Sequence, residues 1–171
     1  MTMKYNGIVW LSIAQVAEMY NVSTEQAKES AFSVCGFAAI SVTEENYQRN
    51  VAAQGEEAGG LIKAGASIIA YRDMVEMANL SEEEVEAIIG HEEGHIQLGH
   101  LEGIEVKEVK NGEVNILENH EYELAADQFG ANKTSPAAMA SALRKIVAFI
   151  MGSDPLKDEK IADRLAALSG E

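Results

Sequence analysis

The stretch from Leu80 to Leu101, LSEEEVEAIIGHEEGHIQLGHL, constrains the fold more than any other part of the chain. Ser81 and Glu84 have the S-x-x-E spacing of a capping box, and Leu80 with Val85 that of a hydrophobic staple. A helix therefore begins here, and its pattern runs to about Leu101. His91 and His95 lie four residues apart, one turn apart on one face, and Ile88 shares their stripe. Imidazoles on the core-facing side of a helix need partners there, because a buried polar group left unpaired costs about 1–3 kcal/mol. Gly90, Gly94 and Gly99 sit in the same pattern, each about 1 kcal/mol worse than Ala in a helix interior. Packing and clearance against a neighbouring element account for them. The bland alternative is a solvated helix face that happens to hold histidines; a second helix that approaches closely and carries carboxylates would speak against it.

Residues 118–131, ENHEYELAADQFGA, have that character. Glu123 and Asp127 are four apart on one face, and Ala125, Ala126 and Gly130 let two helices approach. Two imidazoles at the spacing of His91 and His95 can each give a nitrogen to one Zn²⁺ at about 2.0–2.1 Å. Glu92, next to the first of them, lies beside the metal without binding it and can take a proton from water. This is the H-E-x-x-H arrangement, His91-Glu92-Glu93-Gly94-His95. A catalytic zinc needs a third protein ligand and an open position. Glu123 can complete a His₂Glu set; Glu121, two residues earlier, is the competing carboxylate but points to a different face. Asp127 can accept the outer ring N–H of a ligand histidine and so fix its tautomer. His100 would serve as a ligand only in H-E-x-x-H-x-x-G-x-x-H, and Leu98 and Leu101 occupy the glycine and final histidine positions of that pattern. His100 and His120 are expected around the site or at the surface, where either could stabilise an oxyanion, and Tyr122 in core packing.

The remaining chain reads as one α+β domain over residues 1–171, richer in helix than in sheet. Helical spacing covers Ser12–Tyr20 and Thr24–Val34; Phe37–Val42 has strand composition, and Thr43 caps a helix to Gln54. GEEAGG at 55–60 reads as a loop, then Leu61–Lys63 and Ser67–Val75 as strands turning at Gly65. Asn111-Gly112 between two β-rich runs is a hairpin signal. Ser135, Pro136 and Gly152 bracket a further helix, and Pro155–Leu168 forms the last. Met74 and Met77 are read as packing residues. The sheet is expected to be small and antiparallel.

Composition excludes whole classes of function. With 47% hydrophobic and 24% charged residues the chain can bury a core, and its net charge of −15 disfavours contact with nucleic acid or anionic membrane. IAQVAEMYNVSTEQAKESA has helix-turn-helix spacing, yet its second helix carries one Lys and two Glu, the wrong balance for phosphate contacts. Cys35 is the sole cysteine, so no intramolecular disulfide can form, and it reads as a small buried hydrophobe. MTMKYNGIVWLSIAQ holds no apolar core of signal-peptide length, and the expected setting is cytoplasmic.

At the metal-site residues the sequence resembles the gluzincin metallopeptidases. HEEGHIQLGH is similar to the H-E-x-G-H-x-x-x-G-H form of the soluble peptidases of mobile elements that cleave phage-type repressors. EYELAADQFGA resembles the E-x-x-A-D-x-x-G-A pattern of the CAAX prenyl endopeptidase and heat-shock membrane peptidase family, as do LSEEEVEAIIGHEEGH, ASALRKI and DPLKDEKIADRLAAL. The resemblance covers about residues 65–168. It implies a zincin-like core, one Zn²⁺ per chain on His91, His95 and Glu123, Glu92 as general base and acid, and Asp127 as an orienting group. It also implies a zinc endopeptidase acting on a protein or peptide, with the strand around Ser67–Met74 pairing with extended substrate. The membrane segments of the prenyl-protease family are absent here. Its C-terminal motif carries a His and an Arg near the reacting carbonyl, where this sequence has Asp154 and Lys160. That departure motivates a rival reading, a zinc-binding but catalytically inactive structural or regulatory protein, viral or part of an assembly. A zinc hydrolase of non-peptide amides is a third.

Overall fold

A computed structural model describes residues 3–102, 109–110, 113–114 and 119–170. The chain is α+β, with helices covering a small three-stranded sheet. Strand β1 (Tyr5–Leu11) leads into α1 (Ile13–Tyr20) and α2 (Thr24–Ser33), then β2 (Phe37–Val42), α3 (Glu44–Gly59), β3 (Gly65–Tyr71) and α4 (Arg72–Met77). After α5 (Glu82–Gln97) come the short strands β4 (Val109–Lys110) and β5 (Glu113–Val114), and then α6 (His120–Lys133), α7 (Pro136–Met151) and α8 (Glu159–Ser169). No helix among the described residues is long and apolar enough to cross a membrane.

The local signals act as read where they are short-range. Ser81 Oγ accepts from Glu84 N at 3.2 Å while Glu84 Oε2 accepts from Ser81 N at 2.8 Å, closing the capping box of α5. The same Glu84 carboxylate, buried under α7, also accepts from Ser141 Oγ at 2.6 Å and Lys145 Nζ at 2.8 Å. One side chain thus caps α5 and ties it to α7. Ser135, Pro136 and Gly152 bracket α7 as the sequence indicates. β4 pairs antiparallel with β5; Asn111-Gly112, the expected hairpin turn, and Glu118, the expected start of α6, lie outside the described residues.

Elsewhere the pattern misleads. The sheet order is β1-β3-β2, with β3 antiparallel to β2 but parallel to β1, so the sheet is mixed. β1 has no counterpart in the sequence reading. Asn6-Gly7 interrupts its alternation, Gly7 lies at φ +95°, and the register with β3 shifts between Tyr5 and Ile8. β3 stops at Tyr71 instead of Val75. Tyr71, Met74 and Ala78 are all buried at spacings of three and four, a helical stripe hidden in a strand-like composition. Met77 is exposed, not packed. Leu61–Lys63 form no strand, and 55–60 is no simple loop: α3 kinks at Gly55 (φ +86°) and continues to Gly59. α5 ends at Gln97 and the last helix starts at Glu159, after a 3₁₀ turn over Pro155–Lys157. Cys35 is exposed in the turn before β2, at φ +55°, not buried.

The core lies between the sheet and α5, where Phe37, Ile68, Ala70, Met74, Ile88, Ile89 and Ile146 pack together. On its other side α5 meets α6 almost backbone to backbone. A Cβ on Gly94 would lie 2.8 Å from Phe129 Cβ, one on Gly90 3.1 Å from Gly130 Cα, and one on Gly130 2.5 Å from Ala87 O. Small residues on both helices therefore set the separation, and with it the distance between anything the two faces carry.

Candidate metal centre

His91 and His95 project from α5 toward Glu123 of α6. His91 Nε2 and His95 Nε2 are 3.1 Å apart, and Glu123 reaches them with Oε2 and Oε1 respectively, each at 3.3 Å. Four ligands arranged tetrahedrally about 2.0–2.1 Å from a zinc ion stand roughly 3.3 Å from one another. Each of the three spacings is close to that value, with a different oxygen of Glu123 facing each histidine, and among the described residues these three offer one donor atom apiece within 4.8 Å of one another. Glu121 is exposed on another face of α6 and takes no part.

Around these groups stands a layer that orients them. Asp127, 1% exposed and one turn beyond Glu123, accepts from His91 Nδ1 through Oδ1 at 2.8 Å. With its proton there, His91 turns Nε2 toward Glu123. Arg164 of α8 grips the same carboxylate bidentately, Nε to Oδ2 and Nη2 to Oδ1, both at 2.7 Å, and lies 3.3 Å from Glu123 Oε2. His100 Nδ1 stands 3.0 Å from His95 Nδ1, and its ring stacks on Tyr122. Tyr122 is 40% exposed, so it is a wall of the site and not a core residue. His120, partly exposed, bonds Asp163 Oδ2 at 2.6 Å.

Arg164 is the residue the sequence reading misses. Asp154 and Lys160, the expected counterparts of the His and Arg, are both exposed; Asp154 caps the 3₁₀ turn by accepting from Leu156 N. The cation that reaches the site is one helical turn beyond Lys160. The available signal is its place beside the apolar stripe Ile161, Leu165, Leu168 in a chain so short of cations.

Electrostatics make the cluster one unit. Glu92, Glu123 and Asp127 against Arg164 leave a formal charge of −2 in a largely buried space, which a divalent cation would balance. Burial pushes His91 down, but Asp127, Glu123 and Glu92 together raise it to about 10. Burial alone would raise Glu123, yet His91, His95 and Arg164 hold it far below the ordinary carboxylate range; Asp127, equally opposed by burial, is lowered by Arg164 and His91. For Glu92 burial prevails over the two histidines and over the Ala39 N–H, which donates to Oε2 at 2.9 Å, so its carboxyl is raised. Burial first, then neighbouring His95, lowers His100.

The 330 Å³ hollow lined by Ile8, Trp10, Ile89 and Lys133 opens on a different face of α5 and has no contact with this cluster.

The strand expected to take an extended substrate cannot do so. β3 is paired on both edges, whereas β2 pairs only with β3 among the described residues and turns the Ala39 N–H toward Glu92. No curated protein and no solved structure matches the chain. Residues 14–118 do match a family model; the match includes His91, Glu92 and His95 and ends before α6, leaving Glu123, Asp127 and Arg164 to geometry. That match, over well more than half of the chain, identifies the protein as a member of peptidase family M48, whose peptidases are zinc-dependent.

Proposed function

We propose that the protein is a zinc-dependent endopeptidase with His91, His95 and Glu123 as the metal ligands and Glu92 as the proton carrier. The observation that supports it most is the convergence of three donor residues: His91 Nε2 and His95 Nε2 stand 3.1 Å apart and each is 3.3 Å from an oxygen of Glu123, on two helices held close by their glycines. When bound there, zinc would supply Lewis acidity toward water and toward the scissile carbonyl.

The chain's own residues do the remainder. Glu92, half-buried beside both histidines, takes a proton from the attacking water and delivers it to the leaving amine. The Ala39 N–H fixes the direction of that carboxylate. Asp127 and Arg164 hold His91 in the tautomer that presents Nε2, and His91 and His95, with Arg164 behind them, keep Glu123 ionised. The open edge of β2, beside Glu92, would receive the substrate as an added strand, main chain to main chain. Such a mode reads backbone more than side chain and fits a peptide or unfolded protein segment.

The test is Glu92→Gln, with zinc content and peptide hydrolysis measured on the same sample. Zinc at one per chain with hydrolysis lost is the expected result; hydrolysis persisting at the wild-type rate would remove Glu92 from the reaction.

A further inference from the structure

The end of α5 has a form that helix length does not demand. Leu98 is the C-cap, Gly99 follows at φ +74°, and two backbone bonds close the turn: Gly99 N to Ile96 O at 3.3 Å and His100 N to His95 O at 2.9 Å. These are the 5→2 and 6→1 bonds of a Schellman motif. In that motif the residue two beyond the cap lies against the one three before it, ordinarily as an apolar contact. Here those two residues are His100 and His95, and the contact is between imidazoles, Nδ1 to Nδ1 at 3.0 Å. Glycine is present at 99 for its positive φ, not for clearance: a Cβ there would meet nothing nearer than Glu102 at 3.8 Å.

We propose that the segment His95-Ile96-Gln97-Leu98-Gly99-His100 is a helix cap that positions a metal ligand, with His100 as the positioning residue for His95. The proposal rests on the zinc site described above. A neutral imidazole carries one proton, and a nitrogen given to a metal carries none. His95 Nε2 faces His91 and Glu123, so its proton belongs on Nδ1, where His100 Nδ1 must accept it. His100 then keeps its own proton on Nε2. Its ring is held in plane by Tyr122, centroids 4.0 Å apart at 2°, and His100 is only 7% exposed. Because Tyr122 precedes Glu123 on α6, one stack links the second ligand to the helix of the third. The two histidines are thus oriented differently: His91 by a carboxylate, His95 by a second imidazole.

The experiment has two arms on zinc-loaded protein. Long-range ¹H–¹⁵N correlation spectra of the wild type report the tautomers; the expected result is Nδ1–H on His95 and Nε2–H on His100. Zinc affinity by chelator competition is then compared among wild type, His100→Phe and His100→Asn. Phenylalanine keeps the stack on Tyr122 without an acceptor and should weaken zinc 10- to 100-fold. Asparagine places Oδ1 where Nδ1 stood and should restore most of that loss. Wild-type affinity in His100→Phe, or His95 carrying its proton on Nε2, overturns the proposal while leaving the zinc site intact. A wild type that binds no zinc overturns both. Should His100→Phe fail to fold, the wild-type tautomers decide alone.

Discussion

Replacing Arg164 by Met tests the buried charge cluster directly. Its side chain is 12% exposed and that of Asp127 2%, so the pair is largely removed from water and is worth more than a surface ion pair. Methionine keeps much of the volume but leaves Asp127 with a single cationic partner, His91. Removing one member of a buried pair costs roughly 3–5 kcal/mol; because His91 remains, about 3 kcal/mol is expected in metal-free protein. At about 2–4 °C per kcal/mol for a chain of this size, the melting temperature should fall by about 6–12 °C. Asp127→Asn and the double variant complete a cycle in urea, where the coupling should approach 2 kcal/mol. The dependence on pH carries a second signature. In the wild type Asp127 is lowered in the folded state, so it stabilises above its unfolded value near ~3.9, and that contribution is lost as pH falls through the folded value. Without Arg164, burial pushes the carboxyl upward and only His91 resists, so the stability gap between wild type and variant should be wider at pH 7 than at pH 4. A coupling within about 0.5 kcal/mol of zero, together with a gap that ignores pH, would show that Arg164 is an ornament of α8 and not part of the site.

Three further outcomes follow from the same geometry. With His91 raised to about 10 in the metal-free state, zinc uptake at pH 7 should expel a proton, and apparent affinity should climb about tenfold per pH unit from pH 6 to 8; calorimetry in buffers of differing ionisation heat counts the protons. The sign for metal-free stability is opposite: the His91 contribution is full below its unfolded value of about 6.5 and fades as pH rises toward 10. Gly130→Ala drives a Cβ to 2.5 Å from Ala87 O and 3.0 Å from His91 N, so α5 and α6 must part, at about 3 kcal/mol in thermal unfolding and with weaker zinc binding. Ala39→Pro removes the N–H that holds Glu92 on the free edge of β2; kcat should drop about tenfold while zinc content stays at wild-type level.

What could be read from the sequence, and what could not, divides by the range of the interaction that decides each case. His91, Glu92 and His95 are legible because helical periodicity alone puts two imidazoles one turn apart, and the capping box at Ser81 announces the helix that does it. Glu123 and Asp127 repeat the same spacing on α6, and the small residues of both helices indicate that they meet. Arg164 has no such partner in spacing: its meaning arises only when α8 crosses α6, 37 residues from Asp127 in the chain. β1 fails for a like reason, since a strand broken by Asn6-Gly7 is a strand only by virtue of β3 beside it. Gly99 and His100 are the instructive case. Both were visible, one assigned to clearance and the other to the vicinity of the site, yet they belong to one local device. Gly99 turns the chain left-handed, and the turn folds His100 back onto the outer nitrogen of His95. A cap signature was therefore legible in H-x-x-x-G-H by the same rules that located the start of the helix, had the glycine been read for its φ instead of its size. The general consequence is that a glycine four residues after a metal-ligand histidine at a helix end is better read together with the residue that follows it, because the cap turns that next side chain back onto the ligand.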